Sequence, residues 1–250
     1  MAQLKRRLPT IILLLASPCW ATWTLVQVKS NTSSTGSSGA VTVSSTGSGN
    51  LLVAGLISGA NVSISMVSAS ACSSAWTHAA NTSNFLSGNG SVDLYYCLSS
   101  ASGQTSITIT ASGSAGAGSV WVIWEASSTL GNIAIDSGST PSQHVSDTSC
   151  SSCAGVALSL SGNNDFIATV ATCGNSCTGV TGAGFTNDLG NPNGDAVAHG
   201  ILNASGAVTA PATFTQPSAT LAAAAAAFQE SSGGTAPVAF GKRAKYDKFE

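Results

Sequence analysis

Hydrophobic and polar residues alternate with a period of two along most of the chain, and Gly/Ser/Asn segments interrupt this pattern at short intervals. Such alternation predicts β-strands with one buried face, because successive side chains of a strand point to opposite sides of the sheet. The predicted strands are 22–30, 40–45, 51–57, 62–66, 92–97, 106–110, 120–125, 133–135, 156–160, 166–171, 196–202 and 208–214. Many short strands with turns between them predict an all-β fold, an antiparallel β-sandwich of the jelly-roll or immunoglobulin-like type.

Residues 221–228 conflict with this pattern, because Leu221 is followed by six alanines and alanine has the highest helix propensity. The alanine run has no amphipathic spacing, and so short a helix is marginally stable on its own. We therefore expect a strand here, the closing strand of the sandwich, in which small side chains allow the sheets to approach closely.

The first 21 residues have the features of a secretory signal peptide. Basic residues at positions 5–7 precede an apolar stretch at 11–16, and small residues precede the predicted cleavage after Ala21. An alternative, a lipid anchor on Cys19, fits poorly with Pro18. The apolar stretch is too short to cross a bilayer, which takes about 20 residues. We expect an exported protein without a transmembrane segment, with a signal peptide at 1–21 and a single β-domain at 22–232.

Six cysteines remain after cleavage, and an even number in an exported chain predicts disulfide bonds. We favour the pairs Cys72–Cys97, Cys150–Cys153 and Cys173–Cys177, of which the first would join two strands and the others would close loops. Two alternatives stay open: bonds between the 150/153 and 173/177 loops, and a four-cysteine zinc site formed by those same loops.

Charged residues make up only 7% of the chain, and the basic ones lie almost entirely at its two ends. No Lys or Arg occurs between Lys29 and Lys242, whereas eight acidic residues do. Binding to a phosphate backbone needs clustered Lys or Arg, so we expect no nucleic-acid partner. Residues 233–250 carry four bases and predict a flexible basic tail, or an arm that docks on an acidic partner such as the body of a neighbouring copy.

Several short segments together resemble secreted all-β modules found in bacterial and phage-associated surface proteins. The segments that carry the resemblance are 24–27 (TLVQ), 49–53 (GNLLV), 93–96 (DLYY), 108–113 (TITASG), 182–185 (GAGF) and 195–199 (DAVAH). The resemblance covers residues 22–230 and implies a jelly-roll or immunoglobulin-like sandwich. It implies no catalytic residues.

The segment 187–195 is the best candidate for a cation site, because calcium takes oxygen ligands from closely spaced Asp and Asn residues. The candidate ligands are Asp188, Asn191, Asn193 and Asp195. Asn, Gly and Pro are equally the usual residues of turns, so an ordinary turn is the alternative. His144, Asp147 and Asp136 form a second cluster, which suggests metal binding or acid–base chemistry. The alternative is that these residues lie in an ordinary solvated loop.

Aromatic residues give a hint of ligand binding. Trp121 and Trp124 fall on opposite faces of one predicted strand, as do Tyr95 and Tyr96, so one member of each pair is expected to face outward. Trp121 and Tyr95 are the candidates for stacking on sugar rings, and packing beneath a loop is the alternative. Asn-x-Ser/Thr glycosylation sequences occur at Asn31, Asn61, Asn81, Asn89 and Asn203, a number near that expected by chance.

No sequence motif of an enzyme is present: there is no G-x-S-x-G nucleophile turn, and no pair of acids forms a motif. We therefore expect a non-catalytic extracellular structural protein, a subunit or decoration of a cell-surface, filament or virion-like assembly that associates with itself. The alternative is a glycan-binding module. No cofactor is expected apart from calcium.

Overall fold

The structure is a computed structural model that describes residues 22–82, 90–137, 142–161, 164–203 and 205–230. The predicted signal peptide and the predicted basic tail lie outside the described residues. The strands are β1 (Trp23–Asn31), β2 (Ser38–Thr42), β3 (Leu51–Ser58), β4 (Ile64–Val67), β5 (Thr77–Thr82), β6 (Ser91–Cys97), β7 (Ser106–Ala111), β8 (Val120–Ser128), β9 (Ile133–Ile135), β10 (Ser142–Leu160), β11 (Asp165–Cys173), β12 (Gly179–Thr181), β13 (Phe185–Asn187), β14 (Ala196–Leu202) and β15 (Gly206–Glu230). Short 3-10 helices span Ala69–Ala71 and Pro192–Gly194. In the described part of the chain, no helix has the length and apolar character needed to span a bilayer.

Three antiparallel sheets build the domain. The central sheet has the strand order β1-β8-β3-β6-β5, and the outer sheet has the order β2-β7-β4. The long-strand sheet has the order β10-β15-β11-β14-β13, and β9 and β12 also pair with β15. One of these sheets is nearly closed and barrel-like. The prediction of an all-β antiparallel fold is confirmed, and the structure stacks three sheets rather than two.

Apolar side chains form three clusters that alternate with the sheets. The outer core lies between the outer and central sheets and includes Val41, Ile109 and Trp121. The middle core lies between the central and long-strand sheets and includes Trp124 and Phe166. The inner core is built by strands and loops of the long-strand sheet alone. The central sheet is therefore buried on both faces, which explains why β3 is apolar throughout.

The alanine run lies within β15, so the prediction of a strand at 221–228 is confirmed. Alanines 222, 224 and 226 face the middle core, whereas alanines 223, 225 and 227 face the inner core. All six are fully buried, and β15 forms hydrogen-bonded pairs with β10 on one side and β11 on the other. Burial on both faces and pairing at both edges outweigh the intrinsic helix preference of alanine.

The structure also contains strands that the alternation does not predict: β5, β12, β13 and the first half of β10. β5 is an edge strand of the central sheet with few large apolar residues, and the first half of β10 is rich in serine. The predicted strand 208–214 and the alanine run are parts of one 25-residue strand. These segments are strands because they form hydrogen bonds with an adjacent strand, and not because their hydrophobic residues alternate.

A buried carboxylate joins the loop after β2 to the central sheet. Glu125 of β8 is fully buried and accepts hydrogen bonds from Gln27 Nε2 at 2.6 Å, Asn50 Nδ2 at 2.6 Å and the Gly47 amide at 2.7 Å. Gln27 also exchanges hydrogen bonds with the Ser44 backbone. These three donors give the buried carboxylate oxygens of Glu125 their hydrogen bonds, so Glu125 has a structural role that accounts for its burial.

Candidate functional site

A groove of about 330 Å³ opens on the surface where β4 approaches the segment that leads into β5. Its lining is mainly apolar and aromatic with two serine hydroxyls. The lining residues are Ser65, Met66, Val67, Ala69, Cys72, Ser74, Ala75, Trp76 and Tyr95. Such a mixture of aromatic surface and a few hydroxyls is typical of sites for small neutral ligands.

The segments on either side of the Ala69–Ala71 helix form the walls of the groove, and two interactions fix their positions. Trp76 Nε1 donates to the Ser68 carbonyl at 2.9 Å, which fixes the indole across the helix. The Cys72–Cys97 disulfide attaches this segment to the end of β6, with 5.8 Å between the two Cα atoms. Met66 is 59% exposed at the rim, the most exposed large apolar residue in the described part of the chain.

A histidine–aspartate pair lies beside the groove and supports Tyr95. The His78 ring packs on the Tyr95 ring with 4.9 Å between centroids, and His78 Nε2 is 2.7 Å from Asp93 Oδ1. Asp93 is buried and also accepts hydrogen bonds from the Ile64 and Leu94 amides at 2.7 and 2.8 Å. Burial raises the pKa of Asp93, an effect that the nearby His78 opposes. The pair therefore orients an exposed imidazole against the tyrosine.

One of the two predicted glycan-binding residues lies in this groove and the other does not. Tyr95 lines the groove, and its contact with a glycan stays a prediction. The prediction for Trp121 is wrong: its side chain is fully buried in the outer core, and its Nε1 donates to the Ser34 carbonyl at 3.3 Å. The outer sheet covers the face of β8 that a two-sheet arrangement would leave exposed. Trp76, which sequence reasoning missed, supplies the tryptophan of the groove.

The four predicted calcium ligands differ in their hydrogen-bond partners. The Asp188 carboxylate accepts from Trp124 Nε1 at 2.7 Å and contacts His199 Nδ1 at 2.5 Å. Asn191 hydrogen-bonds to Asn187 and to the Cys177 carbonyl instead.

The other two predicted ligands, Asn193 and Asp195, line a separate groove beside Thr172. Burial raises the pKa of Asp195 to about 7, and a hydrogen bond with Thr172 opposes this rise. The hydrogen bonds of Asp188 and Asn191 hold neighbouring elements together, and calcium binding at these four residues stays a prediction. Within the described ranges, no group of three or more His, Cys, Asp or Glu residues is placed to hold a metal ion.

The six cysteines form three disulfides with the favoured pairing. Cys72 joins Cys97, Cys150 joins Cys153 and Cys173 joins Cys177. The Cys173–Cys177 bond closes the turn after β11, as predicted, whereas the Cys150–Cys153 bond lies within β10, where the pairing with β15 shifts register, and not in a loop. The alternatives of a zinc site and of bonds between the two loops do not occur, since each cysteine is bonded within its own segment.

The side chains of His144 and Asp147 lie outside the described residues, so the cluster predicted around His144 stays a prediction. Asp136 lies against another acid, Asp165, and both are buried. Burial and then the neighbouring Asp136 carboxyl raise the pKa of Asp165 to about 8. Sequence reasoning missed this carboxyl pair, because Asp136 follows β9 whereas Asp165 begins β11, and the two segments are far apart in sequence.

The predicted glycosylation sites differ in their surroundings. Asn61 and Asn203 are exposed, whereas Asn31 is half-buried and donates through Nδ2 to the Ala40 carbonyl at 2.9 Å. The Asn81 side chain and Asn89 lie outside the described residues. Glycosylation at these sites stays a prediction.

Comparison with protein-family models, with curated proteins and with solved structures finds no match. The resemblance to secreted β-modules therefore stays a prediction, and the function must be argued from the residues of this chain.

Proposed function

We propose that this protein is a non-catalytic extracellular structural protein, a subunit or decoration of a surface, filament or virion-like assembly. The observation that carries the proposal is the distribution of charge over the domain. Between residues 30 and 241 the chain has no Lys or Arg, so a protease that requires a basic residue has no site there. A protein that must persist outside the cell benefits from this composition.

The construction of the domain supports the same proposal. Three apolar cores alternate with three sheets, and three disulfides fasten segments of this stack. Disulfides form and persist in oxidising compartments, which is compatible with an extracellular location. The outer sheet turns a row of uncharged hydroxyls outward from β7, namely Ser106, Thr108 and Thr110, which suits contact with a neutral surface.

The assembly state of the purified protein tests this proposal. We expect the chain without residues 1–21 to form particles much larger than one subunit in light scattering, and regular assemblies in electron micrographs. A stable monomer at all concentrations would contradict it.

A second function, binding of a neutral glycan, is favoured by the groove at Trp76 and Tyr95. Sugar rings present apolar C–H faces that stack on aromatic rings, while their hydroxyls exchange hydrogen bonds with groups such as Ser65 and Ser74. Neither wall of the groove contributes a charged side chain, which suits an uncharged ligand. An adhesive decoration on an assembly would combine both functions.

Retention on insoluble polysaccharides tests the glycan proposal. We expect Trp76→Ala to lower retention at least about fivefold, because one stacked aromatic ring contributes about 1–3 kcal/mol to the binding of a nucleic-acid base and we expect a similar contribution for a sugar ring. Val26→Ala is the matched control, since Val26 is also an exposed apolar residue but lies on β1, away from the groove. Equal retention of the two variants, with unchanged melting temperatures, would contradict glycan binding in this groove.

A further inference from the structure

An apolar groove of about 440 Å³ opens beside the loop that connects β14 to β15, and we call it the Phe185 groove. The part of its lining that the structure describes contains no charged residue. Its large side chains are apolar and partly exposed to solvent, and they are Phe185, Ile201, Leu202 and Val208. Contiguous apolar side chains at a surface are typical of interaction sites, because a partner removes them from water.

Close contacts between β13 and β14 give the Phe185 groove a defined shape. The Phe185 ring lies over Gly200, where a Cβ atom would be 2.7 Å from Cε1 of the ring. Gly184 has a φ of 81°, and a Cβ atom there would be 2.4 Å from Leu202 Cδ2. The Ile201 amide donates to the Gly184 carbonyl at 3.2 Å. The fold therefore holds these walls in place before any partner binds.

The last strand ends at the same end of the long-strand sheet as the Phe185 groove. Leu202 of β14 is opposite Asp165 of β11, which in turn is opposite Gln229 of β15. Adjacent strands lie about 4.8 Å apart, so the backbone of Leu202 is roughly 10 Å from the end of β15. The 20 residues that follow Glu230 in the sequence therefore start close to the groove.

Residues 235–240 (TAPVAF) are an apolar segment within this tail, preceded by Ser and Gly and followed by basic residues. Alternation places Ala236, Val238 and Phe240 on one face of an extended chain. Pro237 favours an extended backbone at the residue before it. The segment therefore offers a narrow apolar face that gains free energy when a surface covers it.

We propose that residues 235–240 of one copy bind in the Phe185 groove of a second copy, with Phe240 against Phe185. The proposal rests on the self-association proposed above and names the surface that carries it. An uncharged apolar segment matches an uncharged apolar groove, and two aromatic rings in contact add to the gain from burial.

The direction of β15 favours a second copy over docking within one copy. Residues 231–234 span at most about 14 Å. Within one copy, they would have to reverse direction and cross the ends of β11 and β14, whereas a facing copy presents its groove ahead of β15. Two copies that face each other can exchange segments reciprocally about a two-fold axis. The basic residues after the segment then reach a domain that has no Lys or Arg between residues 30 and 241.

Sedimentation velocity at high salt tests the proposal on the chain without residues 1–21, because salt screens the attraction of the basic residues and leaves an apolar contact in place. We expect the wild type to be a dimer under these conditions. Phe240→Ser should weaken dimerisation at least about a hundredfold, because each of two contacts loses a buried Phe side chain that contributes about tenfold. Phe249→Ser is the matched control, since Phe249 lies in the same tail beyond the basic residues, and this variant should stay dimeric.

Photo-cross-linking identifies the surface that the segment contacts. The variant Phe240→benzoylphenylalanine is mixed with an isotope-labelled wild type and irradiated. We expect cross-links to labelled peptides from residues 182–209. Because residues 30–241 contain no Lys or Arg, chymotrypsin rather than trypsin must release these peptides.

Four results would overturn the proposal. Equal dimerisation of Phe240→Ser and the wild type would show that Phe240 is not in the contact. Cross-links confined to one copy would show that the segment covers its own groove, and cross-links to a labelled copy outside 182–209 would place it on another surface. A wild type that forms large particles at low salt but is monomeric at high salt would leave the proposed assembly standing and overturn only the apolar contact. A wild type that is monomeric at every salt concentration would contradict the proposed assembly as well.

Discussion

Trp121 and Trp124 point to opposite faces of β8, and both side chains are fully buried. Trp121 packs in the outer core, whereas Trp124 packs in the middle core and donates from Nε1 to Asp188 Oδ2 at 2.7 Å. β8 is consequently covered by a sheet on each side, and the two indole rings connect all three layers of the domain.

Gly39 of β2 lies directly against the ring of Trp121. A Cβ atom at this position would lie 2.4 Å from Cγ of the Trp121 ring, so Gly39→Ala should force the outer sheet away from the central sheet. We expect a loss of about 1–3 kcal/mol in the free energy of unfolding, the usual range for overpacking. Gly36→Ala is the control, because a Cβ there meets nothing within 4 Å. Equal urea midpoints for the two variants would contradict this packing.

Hydrophobic alternation predicts strands well where a strand has one polar face or two apolar faces, as in β7 and β3. It fails for β5 and for the first half of β10, whose positions depend on the strand beside them. It also cannot show which sheet covers which face, and for that reason Trp121 is expected at the surface but lies in a core.

The candidate sites depend even more on tertiary structure. The disulfide pairs could be predicted, two of them because their cysteines lie three or four residues apart, as could Tyr95. Asp136 and Asp165 are neighbours only because β9 and β11 both pair with β15. No local pattern around either residue indicates that contact.

The three disulfides should contribute unequally to stability. Cys72 and Cys97 are separated by 25 residues, whereas Cys150 and Cys153 are separated by 3. Because a longer loop loses more entropy on closure, replacing both cysteines of the first pair by serine should cost about 3–4 kcal/mol, against about 2 kcal/mol for the second. Chemical denaturation of the two double variants measures this difference. A larger loss for the Cys150–Cys153 variant would show that chain entropy does not determine the ranking.

Stability should fall as the pH rises from about 4 to about 7, in part because of Asp195. Its pKa is raised from 3.8 to about 7 in the folded protein, so the folded state binds a proton more tightly than the unfolded state. The free energy of unfolding is then highest below pH 4 and decreases until Asp195 has ionised, by up to about 4 kcal/mol for a shift of this size.

Asp195→Asn should flatten this part of the pH profile, as measured by urea denaturation at successive pH values. Asn193→Gly is the control, because Asn193 lines the same groove without titrating and glycine tolerates its positive φ of 52°. A profile for Asp195→Asn as steep as that of the wild type would show that Asp195 is not the group responsible.

The size of the protein's particles in solution, measured by light scattering at low and high salt, tests the proposed assembly most directly. The comparison is between the chain without residues 1–21 and the same chain ending at Ser232, which lacks the four bases of the last nine residues. We expect the longer chain to form large particles that shrink with salt, because its basic residues attract the acidic domain of a neighbouring copy and salt screens this attraction over about 8 Å. The shorter chain should melt at the same temperature and associate less. A longer chain that stays monomeric at every salt concentration would contradict the account.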